Sequence, residues 1–234
     1  MTWTLHEFNN DNSLVEALTG RICDVLIQAI QRTNTASMAL SGGSTPKTLY
    51  QHLALQKLPW RQVTLSLVDE RWVEEDHPDS NARMIQESLL QNQAEAACFI
   101  GMKLPEADAK AAEKVLDLIL RDHILPLDLV LLGMGNDGHT ASFFPHAEGL
   151  SRALAQDNDT LCCALQPLGA RYARMSLRLN TLLNAQQRIL YIRGAAKRDV
   201  LEQAFQPGDI NELPVRAVLH NSKTVTEIYY APDD

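Results

Sequence analysis

The spacing of apolar and polar side chains predicts strands and helices in alternation along the whole chain. Trp3 to Phe8 alternates with period two, as a half-buried strand does. Asn10 to Ser13 supplies capping residues, and Val15, Leu18, Ile22, Val25, Leu26 and Ala29 then form one stripe at helical spacing. Met38 to Leu40 ends a short strand and Ser41 to Ser44 makes a flexible turn. Pro46 suits the first turn of a helix reaching to Leu55, with Ser44 or Thr45 as its cap. Val63 to Val68 is an apolar strand that delivers Asp69, Glu70, Arg71 and Trp72, a charged loop, at its carboxyl end. Asp79 or Ser80 caps a helix over Ala82 to Leu90. A longer helix, Ala107 to His123, sets Ala111, Ala112, Val115, Leu118 and Ile119 on one face and is ended by Pro126.

Asp128 to Leu132 has the composition and length of a strand buried on both faces. After Pro145 the chain is polar as far as Asp159. Strands follow at Leu161 to Leu165, Arg174 to Leu177 and Ile189 to Ile192, then a helix from Lys197 to Phe205, and Val225 to Tyr230 closes the chain as a candidate edge strand. This alternation predicts an α/β fold, a mainly parallel sheet with helices on both faces. No repeat, linker or low-complexity tract interrupts it, so residues 1–234 read as a single domain.

Composition narrows the setting. No apolar run approaches a membrane span, and the opening residues lack the basic start and apolar stretch of a signal peptide. The four cysteines, Cys23, Cys98, Cys162 and Cys163, show no metal-ligand spacing and read as reduced thiols. The expectation is a cytoplasmic protein. A net charge of −8 argues against nucleic acid and anionic membranes as partners, so an anionic substrate needs a local cluster of Arg and Lys.

Candidate chemistry collects where strands end. Ligands of open α/β sheets bind beyond the carboxyl ends of the strands. There the chain offers Gly133, Gly135 and Gly138 together with Asp137 and His139. Histidine is the side chain best suited to take and return a proton near neutral pH. Gly133 to Gly138 also matches the dinucleotide fingerprint G-x-G-x-x-G. That motif needs a helix opening at its third glycine, but Pro145 stops any helix within about two turns. It also wants an acid ending the next strand, whereas Asp157 and Asp159 fall in a polar loop. Both points argue against a dinucleotide. The Ser41–Thr45 turn before a helix is either an anion site made of backbone donors or an ordinary β–α turn with a serine cap. It is not a Walker loop, because GxxxxGK[ST] is absent.

Four blocks then carry a resemblance: Ser41-Gly42-Gly43-Ser44-Thr45-Pro46, Val68-Asp69-Glu70-Arg71-Trp72-Val73, His77-Pro78-Asp79-Ser80-Asn81, and Gly133 through Ser142 with Phe144-Pro145. Weaker blocks follow at Arg174–Leu177, Leu183-Asn184 and Gly194–Lys197. In this order and spacing the chain resembles the 6-phosphogluconolactonase family. The resemblance implies a Rossmann-like fold shared with glucosamine-6-phosphate deaminases, and hydrolysis of a sugar-phosphate lactone in the oxidative pentose phosphate pathway. No redox cofactor or metal is expected, and the chain is either a monomer or a small homo-oligomer.

By the same resemblance His139 is the general base, oriented by Asp137. Ser41, Gly42, Gly43, Ser44, Thr45, Arg174 and Lys197 hold the phosphate, and Asp69 joins the substrate contacts. Arg71 serves either phosphate or oxyanion. The deaminase branch of the fold carries a glutamate shortly after the histidine, in an Asn-Glu-Pro run. Here that place is Phe143-Phe144-Pro145. A phenylalanine can neither ionise nor orient the histidine, so the deaminase machinery is incomplete. A non-catalytic sugar-phosphate sensor would need a DNA-binding module, for which a single acidic domain leaves no room.

Overall fold

The computed structural model describes residues 2–156 and 159–233. Its elements run β1 (Trp3–Glu7), α1 (Asp11–Thr33), β2 (Ala36–Leu40), α2 (Lys47–Ala54), β3 (Val63–Leu67), β4 (Asp69–Arg71), α3 (Asn81–Ser88), β5 (Cys98–Ile100) and α4 (Ala109–Ile124). Then follow β6 (Leu129–Leu132), α5 (Leu150–Leu154), β7 (Cys162–Leu165), β8 (Arg174–Leu177), α6 (Leu179–Leu183), β9 (Gln187–Arg193), α7 (Ala195–Phe205), α8 (Val215–Leu219) and β10 (Thr226–Ala231).

Among the described residues, seven strands form a parallel sheet in the order β1-β10-β9-β6-β2-β3-β5. The chain steps from β2 outward through β3 to β5. It then returns by α4 to β6 and steps outward the other way through β9 and β10. Right-handed crossovers taken in opposite directions put their helices on opposite faces. Accordingly α1 packs with α2 and β2, while α4 packs on β3 and α7 on β9. The reversal falls between β2 and β6, every residue of which is buried, and that is the switch point where such sheets bind ligands.

A second, antiparallel sheet β4-β8-β7 corrects the reading of Asp69–Trp72 as a loop. Asp69, Glu70 and Arg71 pair with Ser176, Met175 and Arg174, so this short ribbon stands beside the end of β3. Four other expectations also change. The last strand lies between β1 and β9, because β1 supplies the edge instead. The helix after the serine turn begins at Lys47 with Pro46 as its cap residue, and neither Ser44 nor Thr45 caps it through its side chain. The segment after Pro145 includes α5, whose Leu150, Ala153 and Leu154 are buried.

The fourth is the buried face of α4, which is Ala109, Ala112, Leu116, Leu120 and Ile124, with Val115 and Leu118 left 48% and 62% exposed. That helix carries apolar residues round more than half its circumference, so periodicity alone does not choose the arc. Packing on β3 and β7 does. All four cysteines are free, and burial pushes Cys23 and Cys163 up to about 11. No helix among the described residues is long and apolar enough to cross a membrane.

Candidate active site

The turn after β2 and the turn after β6 are knitted together by Ser41. Its hydroxyl donates to the Leu131 carbonyl at 2.9 Å and accepts from Gly133 N–H at 3.1 Å. Its backbone N–H also donates to Leu131, and its carbonyl accepts from the buried Tyr50 hydroxyl at 2.6 Å. Ser41 therefore shapes the cleft, and its two donors, N–H and O–H, are already used. Ser44 and Thr45, which do not cap α2, line a cleft of about 250 Å³, a little under the roughly 300 Å³ lower bound of typical small-molecule pockets. A Cβ on Gly42 would fall 1.9 Å from Asn81 Oδ1, so any larger residue here would push aside the Asn81 side chain that bonds the Asp69 carbonyl.

The turn after β6 holds the proton chemistry. His139 Nδ1 donates to Asp137 Oδ1 at 2.6 Å, and the same oxygen accepts the His139 backbone N–H at 3.2 Å. Asp137 thus ties one edge of the ring to the loop. Burial opposes its ionisation, but the hydrogen bond and charge of His139 hold the carboxyl below its ordinary value. With the proton on Nδ1, the lone pair is on Nε2, which has no hydrogen-bond partner among the described residues. A Cβ on Gly135 would meet His139 Nδ1 at 2.2 Å and Asp137 Oδ1 at 2.6 Å, so glycine is what lets the pair lie down on this turn. The chain turns at Gly138 (φ 74°) and forms no helix before α5, which leaves a pyrophosphate no helix N-terminus here. Asp157, weighed as a ribose partner, lies outside the described residues. The Phe144 ring stacks on the imidazole, centroids 4.0 Å apart and planes within 23°. Phenylalanine stands where the deaminase branch has its glutamate, and it meets the imidazole with its ring face rather than with an ionisable group.

The small sheet supplies the opposite wall. Arg71 and Arg174 face each other across β4 and β8, an unfavourable pairing for like charges. Arg71 Nη1 donates to the Asp79 carbonyl at 2.5 Å. Arg174 lies over the Phe144 ring at 6.0 Å, and its buried Nη1 has no hydrogen-bond partner among the described residues. Burial, then the charge of Arg71, push the Arg174 guanidinium below its ordinary value. Lys197, in the first turn of α7, is likewise pushed down by burial, with Asp233 opposing the shift and Arg193 adding to it. Asp69 is held by Ser142 Oγ, which donates at 2.5 Å.

Behind this wall Glu70 is fully buried, and its carboxylate accepts backbone N–H bonds from Arg71, Asn81 and Ala82 and the Ser80 hydroxyl bond. It fastens the start of α3 to β4. Every residue expected at the site lines the one cleft, except Asp137, which stands behind His139. Asn81 and Gly135, which line the cleft, and Glu70 behind it stood in the quoted sequence blocks but were given no role there, and Tyr191, also in the lining, was missed altogether.

Fold and cleft define the class: a Rossmann-like α/β protein with a histidine–carboxylate pair and a cationic wall at its switch point. A family model described as glucosamine-6-phosphate isomerases/6-phosphogluconolactonase matches residues 9–227. The 6-phosphogluconolactonase of Rhizobium meliloti (strain 1021) is 38% identical over 232 residues, 99% of this chain and 100% of its own. That of Helicobacter pylori (strain J99) is 37% identical, covering 99% of each chain. The crystal structure of a 6-phosphogluconolactonase from Shewanella baltica OS155 superposes with a TM-score of 0.95 at 37% identity, over 98% of this chain and 97% of that one. The chain belongs to the glucosamine-6-phosphate isomerase/6-phosphogluconolactonase family.

Proposed function

We propose that the chain hydrolyses 6-phospho-D-glucono-1,5-lactone to 6-phospho-D-gluconate, the lactone step of the oxidative pentose phosphate pathway. The observation that carries this reading is the meeting, in one small cleft, of a histidine with an open Nε2 and two cations, Arg174 and Lys197, whose side chains make no hydrogen bond or salt bridge among the described residues. Cations without a direct partner, gathered in one cleft of an acidic protein, suit an anion. Relatives named for the lactonase, aligned over nearly their whole length, support the same assignment.

In this mechanism the phosphate rests on Arg174, Lys197 and the Gly42–Thr45 turn, with Ser41 fixing that turn in place. His139 Nε2 takes a proton from water as its oxygen bonds to the lactone carbonyl carbon. Arg71 meets the anionic substrate at its phosphate or at the developing oxyanion. The tetrahedral intermediate expels the ring oxygen, which receives the proton back from the imidazolium. Asp137 keeps the proton of the resting imidazole on Nδ1 and stabilises the imidazolium. Asp69 accepts from substrate hydroxyls. No redox cofactor or metal enters the scheme.

The reading takes residues 1–234 as one cytoplasmic domain. One hydrophobic cluster containing Leu131 of the large sheet and Met175 of the small one supports the single domain. The test is acid release from the purified phosphorylated lactone, with spontaneous opening subtracted. A rate no greater than the spontaneous one rejects the proposal.

A further inference from the structure

We propose that Phe144 is a positioning residue for the hydrolytic histidine: its ring face fixes the plane of the His139 imidazole and so aims Nε2 at the substrate. The inference rests on His139 being the base, as proposed above. The bond from Nδ1 to Asp137 at 2.6 Å restrains one edge of the ring, and what it leaves open is a tilt of the ring plane through coupled changes in χ1 and χ2. Gly135 leaves room on the Nδ1–Cε1 edge, where a Cβ would come within 2.2 to 2.3 Å, but room does not select a plane. Among the described residues, the contact that does so is Phe144, nearly parallel to the imidazole at 4.0 Å between centroids.

The phenyl ring is itself held. It packs against the core, lines the cleft and carries the Arg174 guanidinium at 6.0 Å. Phe144 N–H donates to the Ser142 carbonyl at 3.0 Å, and its carbonyl accepts from Ala147, so the backbone on both sides of the ring is fastened. Ser142 in turn holds Asp69. The ring thus stands on a braced segment, which a platform for aiming a base requires. A misplacement of about 1 Å in a reacting group can lower a rate by about 100-fold.

The experiment compares the wild type with Phe144→Leu, Phe144→Tyr and His139→Asn, by steady-state kinetics and by the NMR signals of the His139 ring protons. Phe144→Leu keeps an apolar group of similar bulk and removes the ring face. Its kcat should fall about 10- to 100-fold, with KM for the phosphorylated lactone changed less than about threefold. Phe144→Tyr keeps the face and should restore most of kcat. A ring stacked on the imidazole shifts the imidazole protons upfield. That shift should vanish in Phe144→Leu and persist in Phe144→Tyr, a signature that general loosening of the fold would not separate in this way. A near-normal kcat in Phe144→Leu, an equal loss in both Phe144 variants, or a loss confined to KM overturns the inference. His139→Asn separates the two levels: if it leaves the rate intact, the proposed base is wrong, and if it removes activity while Phe144→Leu does not, only the positioning role fails.

Discussion

Replacing Arg174 by methionine should make the free protein more stable and the enzyme worse. The two effects come from the same feature. Arg174 faces Arg71 across the β4–β8 ladder, and its Nη1 is buried without a partner. A buried unsatisfied donor costs about 1–3 kcal/mol, and a like charge directly opposite costs a further few tenths, to about 1 kcal/mol. Partial exposure of the guanidinium and solvent screening reduce the sum, leaving a gain of about 1 kcal/mol in Arg174→Met. Methionine keeps an apolar stem over Phe144, so packing is largely retained. For a chain of this size that gain raises Tm by about 2–4 °C.

With substrate the sign reverses. A charge-assisted hydrogen bond contributes about 1.5–3 kcal/mol, so kcat/KM for the phosphorylated lactone should fall about 10- to 150-fold. The unphosphorylated lactone should be used at a low and little-changed rate. Thermal unfolding with and without 6-phosphogluconate gives an independent readout, since a ligand bound only by the folded state raises Tm with its concentration. The variant should unfold above wild type when free and below it when saturated. A variant less stable in the free state, or equal losses on both lactones, would refute the view that Arg174 is held without a hydrogen-bonding partner for an anion.

Gly135→Ala would drive a Cβ into the His139–Asp137 pair, so kcat should fall about 100-fold with little change in product affinity, as measured by steady-state kinetics and product inhibition. Glu70→Gln cannot accept all the bonds that fasten α3 to β4 and should lower stability by about 1–3 kcal/mol in urea unfolding. Burial pushes the Glu70 carboxyl above its ordinary value, against its three backbone N–H bonds. A carboxyl raised in the folded state contributes stability that is complete below its unfolded pKa and is lost as pH rises through the folded one. The stability gap between wild type and Glu70→Gln should therefore narrow from acid toward neutral pH, and a constant gap would contradict this. Exhaustive chelation should leave lactone hydrolysis unchanged, and loss restored by a divalent ion would refute a metal-free mechanism.

The parallel sheet and the cleft at its switch point were legible because buried strands write their apolar runs locally. Asp128 to Leu132 and Met38 to Leu40 are examples, each followed by glycines that release the chain. The small sheet was not legible, because its three-residue strand β4 takes its meaning from β8, about a hundred residues further on, and carries charge where a strand is not expected. The face of α4 was misread for a related reason: both arcs are apolar, and only contact with β3 and β7 selects between them. At the site, His139 and Asp137 were found from their place after a strand, and Arg71 from its place at another strand end, whereas Arg174 and Lys197 came only with the family resemblance. Residues that act by shape were not found. Phe144 looked like the absence of a carboxylate and is the surface on which the imidazole lies. Ser41 was expected among the phosphate contacts, and its hydroxyl also stitches two turns together.

The central claim is that His139 is the base of a lactone hydrolysis, and the pH dependence of kcat/KM in wild type and His139→Asn tests it most directly. In wild type, log(kcat/KM) should descend with unit slope on the acid side as the imidazole takes up a proton. In His139→Asn that limb should disappear and the rate fall by about 10²–10⁴, the usual contribution of a positioned base, with product binding nearly intact. The same wild-type preparation should release no ammonia from glucosamine 6-phosphate. A His139→Asn enzyme with a near-normal rate and the same acid limb, or ready ammonia release, would contradict the account.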